Sequence, residues 1–441
     1  MAGDDTRSRI AHLYRRAAFG ARPEELDAAV AAGYEATVDK LVDLTAADAG
    51  AAAAPAPTFT PEVLAAQLPP DPEARRQAQL AGQKANREEG RRLNQWWIDR
   101  MVLSTTPLRE RLTLFWHAHF ATSVQKVKEP ALMYRQNEIF RALGTGNFET
   151  LAQAVAKDPA MLIWLDANEN RKGRPNENFA RELFELFLLG IGNYTEGDVQ
   201  EGARAFTGWQ YRRQTGAFNL APAQHDSAAK TVFGQTSNFG GEDVIRMAIA
   251  QPASAAYVVS RLWSGFVRPV AATDPVIRQL TPAFAKDLDV GKLMRAIFLH
   301  PEFLAPASRT GLVKQPIEYV VGTLRALGLR AAGTGTNLPQ TLDALGLQPF
   351  APPSVGGWPP NGYWLTTSFA LTRLRFASAV AQKAKLDSIT SVPVTDRPAA
   401  VARLLSVDGW GPSTSAGLAQ VAGDPKALLA VALVSPEYVL A

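Results

Sequence analysis

Apolar residues recur at helical spacing through most of this 441-residue chain, and stretches that alternate apolar and polar residues are almost absent. Alternation with a period of two is what a half-buried strand requires, whereas spacings of three and four are typical of an amphipathic helix. Hydrophobic residues make up 46% of the sequence, which is enough to build a core and excludes a disordered or fibrous protein. The sequence therefore predicts an all-α fold, a multi-helix globular bundle.

Three segments depart from the helical rhythm. Residues 46–57 are rich in Ala and Pro and predict a surface loop, and residues 72–94 predict a polar helix or arm. Residues 209–241 combine aromatic side chains with a Gln214-Thr215-Gly216 turn, which predicts a long irregular loop with at most one small hairpin. Long loops in compact domains are usually functional. No composition break marks a second domain, so we predict one large helical domain over residues 1–441.

The weak net charge and the missing residue types exclude several classes of function. Lys and Arg number 46 against 42 Asp and Glu, an excess too small to indicate nucleic acid as a partner. Without cysteine, thiolate nucleophiles, zinc–thiolate sites and iron–sulfur clusters are excluded. No apolar run reaches the ~18 residues of a membrane span. The first residues lack the apolar segment of a signal peptide, which favours a cytoplasmic location unless a leader has been removed.

One predicted helix, residues 176–189, carries the most informative pattern. At ~100° per residue, one face of it holds four polar residues: Asn178, Arg181, Glu182 and Glu185. Apolar residues cover the rest of its circumference, which is typical of a buried helix, and buried charges need partners. This polar stripe is therefore a candidate site. A structural Arg–Glu network or a solvated edge is the alternative.

The imidazoles come from other parts of the sequence. His117 and His119 are two residues apart, about 200° on a helix, so both face one metal only if the helix ends or unwinds between them. His225 and Asp226 are adjacent in the 209–241 segment, where a His beside a carboxylate suits a general base or a ligand pair. Core packing, capping or the anchoring of a loop are the structural alternatives for these histidines.

A second helix and a turn complete the set of candidates. Thr195 and Asp198 predict a capping box at the start of a helix over residues 197–206. Cations that could hold an anionic group by charge-assisted hydrogen bonds are Arg181, Arg204 and Lys230. The turn Gly356-Gly357-Trp358-Pro359 could line a pocket, although packing is the favoured interpretation.

Eight segments resemble a large bacterial family catalogued as domain of unknown function 1800. In sequence order they are HLYRRAAFG (residues 12–20), FWHAHF (115–120), DPAMLIWLD (158–166), NENFARELFE (176–185), NYTEGDVQEGARAFTGW (193–209), His225-Asp226 with Lys230, HPEF (300–303) and residues 352–364. The resemblance implies a helical fold but no settled activity. Many members are encoded beside an exported protein similar to sulfatases and alkaline phosphatases, which implies a candidate protein partner. Many also begin with an export signal, which implies a periplasmic or extracellular location if a leader was removed.

The leading hypothesis is a metal-dependent enzyme, most simply a hydrolase, that acts on an anionic or polar small substrate. The predicted catalytic residues are Glu182, Glu185, His225 and Asp226, and the predicted substrate-binding residues are Asn178, Arg181, Arg204, Trp209 and Lys230. A divalent metal of unassigned identity would be bound by His117, His119, Glu182, Glu185 and His225, because oxygen and imidazole ligands suit such cations. The alternatives are a metal-free acid–base enzyme, an iron oxidase that lacks the repeated Glu-x-x-His motif, and a non-catalytic helical adaptor.

Overall fold

Helices account for most of the structure, and the predicted all-α fold is confirmed. A computed structural model describes residues 2–43, 45–59 and 69–440. In the first half of the described sequence the α-helices are Ala2–Ala17, Pro23–Ala32, Tyr34–Val42, Pro72–Leu103, Pro107–His119, Val124–Val127, Pro130–Leu143, Phe148–Ala156, Pro159–Trp164, Asn178–Glu182 and Glu196–Ala205. In the second half they are Gly241–Ile249, Pro252–Phe266, Pro275–Asp287, Val290–Leu299, Pro306–Arg309, Pro316–Ala326, Leu338–Ala344, Thr367–Lys383, Asp387–Thr390, Arg397–Leu404, Pro412–Val421, Pro425–Leu433 and Pro436–Val439. A π-helical segment, Leu183–Leu188, continues the helix Asn178–Glu182.

Many helices begin at a proline that follows a capping side chain. Proline in the first position loses no needed N–H, and an Asp or Ser before it accepts one of the free N–H groups of the first turn. Helices of this kind are capped by Asp71, Asp158, Asp274, Asp424 and Ser435. Thr195 and Asp198 form the predicted capping box before Glu196–Ala205. Because these caps are local sequence signals, the first residues of these helices can be predicted from the sequence.

Two hairpins occupy residues 209–241, where the sequence predicts at most one. Antiparallel pairing joins Trp209–Arg212 to Ala217–Leu220, and Lys230–Val232 to Gln235–Ser237. The turn of the second hairpin is Phe233-Gly234, with φ of 47° and 75°. Positive φ at both positions makes a type I′ turn, whose usual sequence signal is Asn-Gly or Asp-Gly. Phe233 stands where that signal has Asn or Asp, so the sequence does not indicate the turn. Its ring packs on Phe184 with 5.2 Å between centroids.

The hydrophobic core extends along the whole described sequence, from Ile10 to Val439. The helix Pro107–His119 lies inside it, with ten of its 13 residues buried. The 32-residue helix Pro72–Leu103 contributes Trp97 and Met101, both fully buried. Within the described residues, no helix is both long enough and apolar enough to cross a bilayer.

The first helix is attached to parts of the protein that are far away in sequence. His12 Nε2 donates to the Phe303 carbonyl at 3.1 Å. The Arg16 guanidinium donates to the Ser308 carbonyl, and Arg15 donates to the carbonyl of Ser406. These buried contacts fix the helix Ala2–Ala17 against segments that follow it by almost three hundred residues or more.

Candidate functional site

The helix that carries the polar stripe changes from α to π geometry at Leu183. A π turn closes hydrogen bonds over five residues instead of four, and here the Leu189 N–H donates to the Phe184 carbonyl at 2.9 Å. The carbonyls that follow are capped by side chains from other helices. The Tyr257 hydroxyl donates to Leu186 at 2.7 Å, and His119 Nε2 donates to Phe187 at 2.9 Å. Single π turns are rare and occur frequently at functional sites.

The polar stripe lies along a half-buried edge of this helix. Arg181 pairs with Glu177 at 2.9 Å and with Glu196 at 2.7 Å. Asn178 donates to the Leu165 carbonyl at 3.3 Å. Arg181 and Asn178 therefore make the contacts of a structural network, which is one of the alternatives that the sequence leaves open.

Glu182 and Glu185 form a carboxylate pair on the same edge. Glu185 accepts a hydrogen bond from the Tyr194 hydroxyl at 2.6 Å. Burial raises the pKa of Glu182, repulsion from Glu185 raises it further, and Arg181 opposes both effects. Two carboxylates that repel each other are typical of acid–base sites and of cation sites.

A second polar network holds Asp226 against the helix Glu196–Ala205. Arg204 donates to Asp226 at 2.8 Å and to Glu201 at 2.7 Å. The hydrogen bond from Arg204 holds the pKa of Asp226 below its ordinary range. Lys230 is only 1% exposed and donates to the Ala228 carbonyl at 2.9 Å and to the Asn238 side chain at 3.2 Å. Arg204 is thus satisfied by two carboxylates, and Glu201 also accepts the Thr231 N–H at 3.0 Å, which fastens the second hairpin to the helix.

His225 and Trp209 lie next to this network. His225 Nδ1 donates to the Thr207 carbonyl at 2.8 Å, which leaves Nε2 as the unprotonated nitrogen of the neutral ring. Trp209 is 2% exposed. Its ring packs on Phe206 and Phe218, each with 5.1 Å between centroids. Trp209 thus contacts other aromatic rings instead of solvent.

His117 and His119, both predicted as ligands of one metal, contact different parts of the protein, because the helix continues through both positions. His117 Nε2 accepts the Phe350 N–H at 3.1 Å, whereas His119 Nε2 donates to Phe187. The two rings therefore carry opposite tautomers when both are neutral. Burial lowers the pKa of each from 6.5 to about 3, so both rings are neutral at physiological pH.

The five predicted metal ligands are distributed over four places: the His117 ring, the His119 ring, the carboxylate pair, and the loop of His225. In the part of the sequence that the structure describes, no group of three or more His, Asp or Glu side chains is positioned to hold a metal ion. The divalent metal therefore stays a prediction, without an assembled set of ligands.

A cavity of about 340 Å³ opens beside His119. It lies between the helices Pro107–His119, Pro252–Phe266 and Pro316–Ala326 and is closed by residues 356–361. Its polar lining residues are His119, Arg261, Ser264, Gln315, Glu318 and Asn361. Volumes of this size are at the lower end of the range for small-molecule sites.

Gly357 brings the segment 356–361 close to the end of the helix Pro107–His119. Its φ is +80°, and a Cβ at this position would lie 2.5 Å from the Ala118 carbonyl oxygen. Any side chain would push the segment away from the helix, so glycine is required for the close approach. Trp358 lines the cavity and its ring also contacts His117 at 5.4 Å. The turn Gly356-Gly357-Trp358-Pro359, for which the sequence favours a packing role, packs against His117 and also lines the cavity.

The polar side chains around the cavity differ in how many ion-pair and hydrogen-bond partners they have. Glu318 pairs with Arg111 and accepts the Gln315 N–H at 2.9 Å. Arg261 is exposed and lines the cavity. His119 is 3% exposed, and its Nδ1 is buried without a hydrogen-bond partner among the described residues. The cavity is thus lined by a solvent-facing cation and by a histidine whose buried Nδ1 has no hydrogen-bond partner among the described residues, which together suit an anion that carries a hydrogen-bond donor.

Comparison with known proteins identifies a family. The model of a family described as Protein of unknown function (DUF1800) matches residues 12–440. The protein belongs to this family. Neither the comparison with curated proteins nor the comparison with solved structures gave a match. The DUF1800 resemblance inferred from the eight segments is confirmed, and it spans almost the whole sequence.

Sequence reasoning missed two residues at this site of the DUF1800 protein. Arg261 is a single cation in the apolar stretch 257–266, which is the signal that could have identified it. Tyr257 lies one helical turn before it. Burial raises the pKa of Tyr257, Arg261 lowers it and Glu185 raises it. Tyr257 therefore lies within electrostatic reach of both Arg261 and Glu185.

Proposed function

We propose that this DUF1800 protein binds a small anionic molecule in the His119 cavity and acts on it as a metal-free acid–base enzyme. One observation carries the proposal: a buried imidazole with an unused nitrogen lines the same cavity as an exposed guanidinium. Hydrolysis is the reaction class that the sequence favours. The proposal retains the predicted hydrolase function. It places the site in the His119 cavity instead of on the polar stripe of Asn178, Arg181, Glu182 and Glu185.

Arg261 and His119 have separate roles in this proposal. Arg261 binds the anionic group by charge-assisted hydrogen bonds. The Nε2–H of His119 is held by the Phe187 carbonyl, so that its Nδ1 is the nitrogen that accepts a proton from water or from the substrate. An isolated ring with a pKa of about 3 is a weak base. A bound anion beside it favours the imidazolium form and raises that pKa toward the range useful for catalysis.

Loss of the Arg261 charge is expected to weaken anion binding by about 10- to 100-fold, because a hydrogen bond to a charged group contributes about 1.5–3 kcal/mol. The probe is inorganic phosphate, with binding measured by the rise in melting temperature and by calorimetry. The matched control for Arg261→Gln is Arg278→Gln, because Arg278 is also exposed but lies on the next helix. Equal phosphate affinity in wild type and Arg261→Gln would contradict the proposal.

His119→Gln separates the structural role of the ring from its chemical role. Glutamine Nε2 can still donate to the Phe187 carbonyl but has no basic nitrogen. Hydrolysis of 4-nitrophenyl phosphate is expected to fall at least about 100-fold, while the melting temperature changes little. If His119→Gln hydrolyses this ester at the wild-type rate, the role of His119 is limited to its hydrogen bond to the Phe187 carbonyl.

A metal-dependent enzyme is the second candidate, and the carboxylate pair favours it. A cation between Glu182 and Glu185 would remove the repulsion that raises the pKa of Glu182. If a metal binds there, Mn²⁺ raises the melting temperature of wild type and of the exposed-site control Glu169→Gln, but not that of Glu182→Gln. If none of Mn²⁺, Mg²⁺ and Zn²⁺ shifts the melting temperature of wild type, the metal-free enzyme is the remaining candidate. An iron oxidase would need iron at this carboxylate pair, and Fe²⁺ would then raise the melting temperature of wild type but not that of Glu182→Gln.

The adaptor alternative predicts a different outcome. A non-catalytic adaptor for a sulfatase- or phosphatase-like protein would bind that partner with equal affinity whether or not His119 and Arg261 are intact. Phosphate would then leave the melting temperature of the isolated protein unchanged.

A further inference from the structure

A second concave site begins four residues after the segment 356–361 that closes the His119 cavity, and it is built differently. The helix Thr367–Lys383 and the last described residues enclose a groove of about 310 Å³. The lining residues are Leu365, Thr366, Ala370, Arg373, Val434, Pro436, Val439 and Leu440. Six of these eight described residues are apolar and none is acidic, so Arg373 is the one charge among them.

Arg373 is 3% exposed and has no anionic partner among the residues that the structure describes. Its Nη1 donates to the Trp364 carbonyl at 2.9 Å, and its Cζ lies 5.6 Å from the centre of the Tyr319 ring. Within the same described residues, Nε and Nη2 are buried without any hydrogen-bond partner. Glu437, an acid in the groove-forming segment, accepts from Gly411 and Thr414 instead. A buried guanidinium without a counter-ion is an unfavourable arrangement that a bound anion would relieve.

The two unused nitrogens define the shape of that anion. Nε and Nη2 lie on the same edge of a guanidinium, and a carboxylate binds this edge with both oxygens. Arg141 shows the arrangement in this protein: its Nε and Nη2 donate to the two oxygens of Glu110 at 2.6 and 2.9 Å. Arg373 presents the same edge, and no described residue places a carboxylate on it.

The apolar wall defines the rest of the ligand. At about 30 Å³ per non-hydrogen atom, the share of a water molecule in the liquid, the groove holds roughly ten such atoms. Leu365, at the groove, is 53% exposed, which is a large exposure for a leucine and leaves apolar surface for a ligand to cover. We propose that the groove is a binding site for a free aliphatic monocarboxylate of about eight carbons, with the carboxylate on Arg373 and the hydrocarbon tail along Leu365, Val434 and Val439.

Octanoate is the probe, with affinity measured by calorimetry on the full-length protein. Each buried methylene contributes roughly fourfold in affinity, so butyrate is expected to bind about 100-fold more weakly or worse. Octanol has the hydrocarbon tail without the charge and is expected to bind at least about tenfold more weakly than octanoate. Octanol that binds as tightly as octanoate overturns the proposal.

Two variants test the site in different ways. Arg373→Met removes the charge and is expected to weaken octanoate binding at least about tenfold, whereas Arg375→Met, on the exposed side of the same helix, leaves it unchanged. Ala370→Phe fills the groove while Arg373 stays in place, and Ala370 is exposed, so this variant keeps the test valid if Arg373→Met fails to fold. Wild-type affinity in Ala370→Phe overturns the proposal.

The terminal carboxylate of a peptide offers the same chemistry as a fatty acid, and a third arm distinguishes the two. The acetylated tripeptide Ala-Ala-Leu presents a terminal carboxylate beside an aliphatic side chain. Octanoate is expected to bind more tightly than this peptide, because an unbranched hydrocarbon tail follows the groove more closely. The reverse order overturns the assignment to a free aliphatic acid.

Discussion

Replacing Glu110 by glutamine is expected to lower the free energy of unfolding by about 3–5 kcal/mol. Glu110 is 0% exposed and accepts hydrogen bonds from Arg100 at 2.8 Å, from Arg141 at 2.6 and 2.9 Å, and from Trp97 at 3.1 Å. Glutamine leaves the buried guanidinium of Arg141 with the partly exposed Glu138 as its remaining counter-ion and turns one acceptor into a donor that faces other donors. Urea unfolding monitored by circular dichroism measures the change.

Glu138→Gln is the matched control for this prediction. Glu138 pairs with the same Arg141, but its side chain is 40% exposed. Water can replace the lost interaction there, so we expect a loss within about 1 kcal/mol. Equal losses of unfolding free energy in Glu110→Gln and Glu138→Gln would show that burial does not set the strength of the ion pairs of Arg141.

The Glu110 interaction also has a pH window. Burial pushes the pKa of Glu110 upward, but Arg141 and Arg100 outweigh it and bring the pKa below the ordinary 4.5. A carboxylate whose pKa is lower in the folded state contributes its stability above the unfolded pKa and loses it as the pH falls through the folded one. The difference between wild type and Glu110→Gln should therefore shrink below pH 4.5.

Asp158→Asn is expected to stabilise the protein at about pH 8 by on the order of 4 kcal/mol and to have little effect at about pH 4. Asp158 is 2% exposed, and burial raises its pKa from 3.8 to about 7. Between these two pKa values the native state holds a proton that the unfolded state has released, so stability falls as the pH rises. Each pKa unit corresponds to about 1.36 kcal/mol.

The contacts of Asp158 make asparagine a close replacement. One oxygen, Oδ2, accepts both the Gln136 amide at 2.8 Å and the Met161 N–H at 3.1 Å, and the other has no partner within the described part of the protein. Asparagine can keep both bonds through its own oxygen. Thermal and urea unfolding between about pH 4 and about pH 8 give the pH dependence.

Asp424→Asn is the control for this pH dependence. Asp424 also precedes a proline and caps a helix, but it is exposed. Its replacement should change stability by at most about 1 kcal/mol and equally at both pH values. A pH-independent loss of stability in Asp158→Asn would show that Asp158 is ionised in the folded protein.

The helices could be predicted from the sequence because their signals are local. Thr195 and Asp198 specify a capping box within four residues, and the Asp-Pro pairs mark where helices begin. The π turn could not be predicted, because the apolar residues of 183–188 suit either an α or a π helix facing the core. The second hairpin was missed for a related reason: Phe233 adopts a positive φ that its side chain disfavours, and packing on Phe184 stabilises it.

The site was less predictable, because its parts are far apart in sequence. The sequence predicts both His117 and His119 as ligands of one metal although their spacing puts them about 200° apart on a helix, and the spacing does not show which of them meets a cavity. That depends on Arg261 and on the segment held close by Gly357, both of which follow much later in the sequence. The polar stripe contains real networks, yet a charge pattern on one helix does not show which charges its neighbours satisfy.

The attachment of the first helix has a consequence for how the protein is made. At roughly 5–20 residues per second, a ribosome needs roughly 15–60 s to proceed from His12 to the Phe303 carbonyl that receives its hydrogen bond. During that time the helix can pack on its near neighbours Pro23–Ala32 and Tyr34–Val42, but the surface that meets Phe303, Ser308 and Ser406 is without its final partners. Translation therefore delivers part of the surface of this helix long before the segments that cover it in the folded protein exist.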